Sequence, residues 1–213
     1  RWYGGEVVLD GVDYSEAQAR AHEIEREEGR TYVHAFDDEA VMAGQGTIGL
    51  EILDQQPDVE TVVVPIGGGG LIAGIATAIK AQRPDVRIIG VQAEGAASVP
   101  ESLEQGEIHT RESVDTVADG IATRSVGERT FEIIDERVDE VVTVSDEEIA
   151  LALTLLLERS KTLVEGAGAV ALAALLEGRF DYREGEVIVP ALCGGNIDMN
   201  VLTTVILRGM VQM

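Results

Sequence analysis

Lysine is almost missing from this chain. There are two, Lys80 and Lys161, among 16 basic residues set against 39 acidic ones, a formal net charge of −23 over 213 residues. So negative a surface repels phosphodiester backbones and anionic lipid, which excludes nucleic acid and membrane as partners. Cysteine occurs once, at Cys193, so the chain has no internal disulfide framework. The three histidines, His22, His34 and His109, are scattered and match neither H-E-x-x-H nor a cysteine–histidine metal spacing. No apolar run reaches membrane-spanning length, no signal-peptide pattern opens the chain, and position 1 is not Met. Internal repeats and low-complexity segments are also lacking. The expected location is cytoplasmic.

Hydrophobic residues make up 45% of the chain, enough to build the core of one large domain or a domain and a half. The acids are spread rather than gathered in a tail. Asp37-Asp38-Glu39 and Asp146-Glu147-Glu148 read as helix N-terminal acids and solvated surface rather than metal clusters. A folded protein this acidic has the character of a halophile's, in which salt screens the self-repulsion.

One stretch organises the rest. Val62, Val63, Val64 and Ile66 form a short β-branched run, suited to a strand covered on both faces. Gly67, Gly68, Gly69 and Gly70 follow, and from Leu71 to Arg83 the apolar residues recur with a helical period. A glycine loop opening a helix makes an anion site. Backbone N–H groups can close on a phosphate, and the helix dipole favours its charge. Walker A is excluded, because no Gly-Lys-Ser/Thr follows. A dinucleotide site stays open, since Gly68, Gly70 and Ala73 satisfy G-x-G-x-x-A and Glu94 stands where a ribose-binding acid would.

The remaining elements are predicted in order. Glu6–Leu9 and Thr31–Phe36 are strands flanking a helix over Tyr14–Glu28, with Ser15 as N-cap and Gly29 as stop, a β-α-β unit. A helix over Glu39–Gln55 is interrupted by Gly44-Gln45-Gly46-Thr47, glycines that signal close approach of another segment. After the glycine loop come a strand over Val86–Gln92, irregular loops over Ala93–Glu128, a helix over Thr130–Glu136 and a strand over Val138–Val144. Ser145 and Glu148 form a capping box for a helix running to about Thr162. A small-residue helix over Ala169–Leu176, a buried strand over Val187–Leu192 and a closing helix over Asp198–Leu207 complete the chain.

Gly44-Gln45-Gly46-Thr47, Pro65 to Leu71, Thr116-Val117-Ala118-Asp119-Gly120, Glu165-Gly166-Ala167-Gly168 and Cys193-Gly194-Gly195-Asn196 line up as an ordered set. Together they resemble the fold-type II pyridoxal phosphate enzymes, above all the threonine dehydratases, with serine racemases and serine dehydratases beside them. The resemblance covers essentially the whole chain and outweighs the dinucleotide reading, which leaves the second Gly-Gly turn idle. It implies a three-layer α/β fold with a mostly parallel sheet. Residues 1–38 would be the remainder of a small substrate-side domain and 39–213 a large cofactor-binding domain, with the N-terminal part of the enzyme upstream. The implied cofactor is pyridoxal 5'-phosphate, the substrate a small amino acid, and the assembly a homo-oligomer.

Residue by residue, the resemblance makes Gly67, Gly68, Gly69, Gly70 and the N–H of Leu71 the phosphate cradle. It makes Gly120 a backbone contact to the ring side and Glu165 a carboxylate directed towards the ring. Cys193 stands beside the pyridine nitrogen, where many members have serine. A neutral S–H there is a weak hydrogen-bond partner and suits β-elimination over transamination. Gly44 to Thr47 would pack beneath the cofactor. Glu94 matches a cation-binding glutamate of the racemases, but Val99 and Pro100 stand where its partner acid is expected, so no metal site is predicted. The catalytic lysine that carries the cofactor, and the loop holding the substrate carboxylate, are expected upstream. Beyond Arg208-Gly209-Met210 the family's biosynthetic enzymes, which serve isoleucine formation, continue into a regulatory domain. The implied reaction is deamination of threonine to 2-oxobutanoate and ammonia. The alternatives are a serine racemase or dehydratase on the same scaffold, and a non-catalytic nucleotide-binding module.

Overall fold

The computed structural model describes residues 3–212 and divides the chain into two units, Arg1–His34 and Ala35–Met213. In the first, α1 covers Tyr14–Glu28. Its N-cap is Asp13, not Ser15: the Asp13 carboxylate accepts the Glu16 N–H at 3.0 Å. Gly29 ends the helix as expected, its N–H donating to Glu25 O at 2.9 Å. The two strands predicted around α1 do not form. A strand exists only when hydrogen-bonded to another, and here Leu9 and Val33 stand 90% and 72% exposed, with no strand among the described residues before Thr61.

The second unit is built on four strands. They are β1 (Thr61–Pro65), β2 (Arg87–Ala93), β3 (Glu140–Val144) and β4 (Ile188–Pro190). Their order is β3-β2-β1-β4 with every neighbouring pair parallel, Val63 lying opposite Ile89 and Pro190. β1 is buried on both faces, as its β-branched run requires. Val62 and Val64 point into one core with Ile72, Ile75 and Ile79 of α3 (Gly70–Gln82) and Ile134 of α5 (Glu128–Arg137). Val63 points into the other with Ile149 and Leu153 of α6 (Asp146–Leu155) and Val170 of α7 (Gly166–Leu176). Helices therefore cover both faces of a parallel sheet, the three-layer α/β arrangement. β4 is shorter and less buried than predicted, because it lies at the sheet edge.

The helix α2 (Glu39–Gln55) is unbroken. Gly46 and Gly49 mark close approach, not interruption, while Gly44 meets nothing within 4 Å. A Cβ at Gly46 would stand 3.1 Å from Gly74 O, and one at Gly49 would stand 3.0 Å from Ile75 O, so α2 and α3 touch backbone to backbone. The Ser145–Glu148 capping box is present: Glu148 Oε2 accepts the Ser145 N–H at 2.8 Å and Ser145 Oγ accepts the Glu148 N–H at 3.3 Å. α6 does not reach Thr162 as one α-helix. It passes at Leu156–Ser160 into a π turn, which ends at Lys161 with φ 57°. The remaining α-helices among the described residues are α4 (Val99–Gln105) and α8 (Met199–Gln212).

Candidate functional site

The chain leaves β1 at Pro65 and enters the four glycines. Gly69 takes φ +94° as the residue before α3, a left-handed backbone that side chains strain. The loop is tightly backed. A Cβ at Gly67 would stand 3.0 Å from Ile121 Cα, one at Gly69 2.8 Å from Thr130 Cβ, and one at Gly70 2.8 Å from Phe36 O, while Gly68 lies against the Phe36 ring. The Gly68 carbonyl accepts Thr130 Oγ1–H at 2.7 Å and Gly127 N–H at 3.3 Å. By contrast, the N–H groups of Gly67, Gly68, Gly69, Gly70 and Leu71 donate to no acceptor among the described residues, although Gly68, Gly69 and Gly70 are buried. Buried N–H groups without partners are costly. Five unpartnered N–H groups, three of them on buried residues, at one helix N-terminus fit a phosphate.

Ile121, behind Gly67, continues the Thr116–Gly120 stretch. Asp146 pins that loop: Thr116 Oγ1 donates to its Oδ1 at 2.6 Å, and Val117 N–H lies 3.1 Å from each carboxylate oxygen. At Gly120 a Cβ would stand 3.0 Å from Glu165 Oε1. Glu165 precedes α7. Its Oε2 accepts the Asn196 N–H at 3.0 Å, and its own N–H donates to Gly194 O at 3.2 Å. Gly168 packs on the carbonyls of Cys193 and Gly194. For this reason α7 starts at Gly166, ahead of the predicted Ala169: its first-turn glycines admit the backbones of Val117 and Cys193.

Four of the sequence stretches thus meet in series: Gly67 with Ile121, Gly120 with Glu165, and Glu165 and Gly168 with the Cys193–Asn196 turn. The fifth, Gly44–Thr47, lies against α3. Glu94 is exposed at the end of β2, and no group of three metal-ligating side chains forms among the described residues. Neither lysine is at the glycine loop. Lys80 Nζ donates to Asp139 Oδ2 at 2.7 Å and Lys161 Nζ to Glu158 O at 2.6 Å.

Cys193 is half-buried, and desolvation pushes its thiol above the ordinary range, with the Glu165 charge adding to the shift. It therefore stays as S–H at neutral pH. Iodoacetamide at pH 8 is expected to alkylate it about fivefold or more slower than free cysteine. A rate equal to that of free cysteine would contradict the shielded, neutral thiol.

Three residues of the site were not legible as such. Asp37 reads in sequence as a solvated acid beside Asp38. Asp38 does cap α2, accepting the Ala40 N–H at 2.9 Å and the Val41 N–H at 3.1 Å. Asp37 Oδ1 instead accepts the N–H groups of Arg129 and Thr130, both at 3.1 Å, and so caps α5. The other two are Thr130, buried behind Gly69, and Asp146, read as a helix N-terminal acid and found holding the Thr116–Ala118 loop.

Known proteins resemble this chain in sequence and in fold. The family described as pyridoxal-phosphate dependent enzyme matches residues 1–194. The L-threonine ammonia-lyase of Geobacter sulfurreducens is 55% identical over 211 residues, which are 99% of this chain and 52% of that protein. The chain thus spans about half the length of this relative. The processed form of threonine deaminase isoform 2 from Solanum lycopersicum superposes with a TM-score of 0.89 at 40% identity, covering 98% of this chain and 58% of that one. Maize serine racemase gives a TM-score of 0.88 at 32% identity, covering 99% of this chain and 65% of that one.

Proposed function

Because the chain belongs to the pyridoxal-phosphate dependent enzyme family, we propose that it forms part of a threonine ammonia-lyase, which deaminates L-threonine to 2-oxobutanoate and ammonia by β-elimination. The observation that carries the reading is the meeting of five unpartnered N–H groups, from Gly67 to Leu71, with the loops bearing Gly120, Glu165 and Cys193. The identity to the Geobacter sulfurreducens enzyme supports the choice of threonine. Residues 1–38 are assigned to the substrate-side domain and 39–213 to the cofactor-binding domain, and the working assembly is a homo-oligomer.

Pyridoxal phosphate, when bound, supplies an electron sink that acidifies the substrate's Cα–H. Gly67 to Leu71 would hold its phosphate. Cys193, neutral and weakly polar, would face the ring nitrogen without charging it. Glu165 ties Gly194 and Asn196 to the start of α7, and its other oxygen lies beside Gly120. A basic amine must move the Cα proton. With Lys80 paired to Asp139 and Lys161 turned onto Glu158 O, that amine is assigned to a segment outside these 213 residues.

The 213-residue chain supplied with pyridoxal phosphate is therefore expected to release no 2-oxobutanoate from threonine, and to gain activity when joined to the missing part. Turnover by the chain alone, lost in Lys161→Ala, would overturn the lysine assignment. Serine racemisation is the second reading, favoured by the likeness to maize serine racemase. Formation of D-serine in preference to keto acid by the longer enzyme would establish it.

The acidity bears on stability. With a net charge of −23, the melting temperature is expected to rise with KCl towards molar concentration, as screening relieves repulsion between acids. A steady fall would contradict the halophilic reading.

A further inference from the structure

We propose that Thr130 is a positioning residue for the anion cradle: it holds the peptide between Gly68 and Gly69 in the one orientation that presents the Gly69 N–H to a phosphate. This rests on the phosphate reading of the glycine loop. A trans peptide is planar, so its C=O and N–H point in opposite directions. The Gly68 carbonyl is turned into the protein, onto the fully buried Thr130 Oγ1 at 2.7 Å and the Gly127 N–H at 3.3 Å. The Gly69 N–H of the same peptide must then point out of that packing, on the side where the neighbouring N–H groups have no protein acceptor.

Such a hold is needed here. Two glycines flank this peptide, so it can flip with little steric resistance, exchanging a donor for a carbonyl that repels a phosphate. Thr130 is itself fixed from two directions. Its N–H and that of Arg129 donate to Asp37 Oδ1, each at 3.1 Å. Its Oγ1 accepts the Gly127 N–H at 3.0 Å. Gly127, the residue before α5, has no side chain to cap the helix, and Asp37 packs into the space a Cβ would fill. The aspartate thus caps α5 and seats the threonine whose hydroxyl orients the cradle.

The test is binding of pyridoxine 5'-phosphate by calorimetry, with pyridoxine as the phosphate-free control. Neither compound has an aldehyde, so neither reacts with surface lysines. Thr130→Val keeps shape and burial but removes the hydroxyl. It is expected to bind pyridoxine 5'-phosphate about tenfold more weakly than the unaltered chain. Thr130→Ser is expected to restore binding to within about twofold, since its hydroxyl has the same reach. Binding of pyridoxine should not change in either variant. Undiminished phosphate binding in Thr130→Val, or equal losses for both ligands, overturns the positioning role. An unaltered chain that binds neither inorganic phosphate nor pyridoxine 5'-phosphate removes the cradle reading and this inference with it. If Thr130→Val does not fold, the amide resonances of the unaltered chain decide: inorganic phosphate should shift that of Gly69, and an unmoved Gly69 resonance overturns the proposal.

Discussion

Gly70→Ala is expected to weaken binding of pyridoxine 5'-phosphate about a hundredfold. The added methyl would stand 2.8 Å from Phe36 O and 2.9 Å from both Cα and Cβ of Phe36. None of these atoms is the far end of a flexible side chain, so the loop must move off the 36–38 segment. Gly70 is the first residue of α3, and its N–H and that of Leu71 are donors of the proposed cradle. Hydrogen bonds to a charged acceptor contribute about 1.5–3 kcal/mol each. Misdirecting one or two of them costs about 3 kcal/mol, or about a hundredfold in affinity. Leu71→Ala serves as the control. It trims a partly buried side chain but leaves the backbone donor in place, so stability should fall while affinity stays within about threefold. The measurement is a calorimetric titration of each variant. Unchanged affinity in Gly70→Ala would mean that phosphate is not held by these N–H groups.

Gly74→Ala should be strongly destabilising, against the sign that helix propensity gives. In an isolated helix, alanine is favoured over glycine by about 1 kcal/mol. At Gly74 the methyl would press into Met42 O and stand 2.7 Å from Gly46 N and 2.9 Å from Gln45 Cβ. α2 and α3 would have to separate, opening the packing of Ile48 and Ile52 on Ile75 and Ile79. Overpacking of this kind costs about 1–3 kcal/mol, and here rigid backbone opposes the methyl, so about 3 kcal/mol is expected. At about 2–4 °C per kcal/mol for a chain of this size, the melting temperature should fall by roughly 6–12 °C. Gly44→Ala, in the facing helix α2, meets no atom within 4 Å and should instead raise stability by about 0.5–1 kcal/mol. The two melting curves test the point together. If both variants gain stability, the backbone contact between α2 and α3 is not tight.

The contact of Gly46 with Gly74 shows what could be read in advance. Glycine in the middle of α2 signalled close approach, but not from which element. The structure answers with Gly74, inside the Leu71–Arg83 segment that the sequence marks only as a helix. Asp37 is a similar case. Its neighbour Asp38 caps the adjoining helix, as the sequence suggests, while Asp37 caps a helix 92 residues away. Glu165 reaches Asn196 across 31 positions, and Asp146 reaches Val117 across 29.

Local signals were sufficient at several places where the determining atoms lie within a turn or two of chain, though not at the start of α1, where Asp13 caps in place of Ser15. The Ser145–Glu148 box, the Gly29 stop, the β-branched run of β1 and the glycine loop opening α3 are all of this kind. Each depends on a hydrogen bond, a cap or a burial pattern spanning a few residues, so composition and spacing reveal it. The strands predicted at Glu6–Leu9 and Thr31–Phe36 failed because strand formation depends on a partner that local pattern does not supply. The orientation of the cradle belongs to the fold for the same reason. The glycines leave the loop free to present its N–H groups outward or to turn them away. Thr130, seated by Asp37 from a distant segment, selects the first, because two glycines hold no preference of their own and the selecting hydrogen bond comes from 62 residues along the chain.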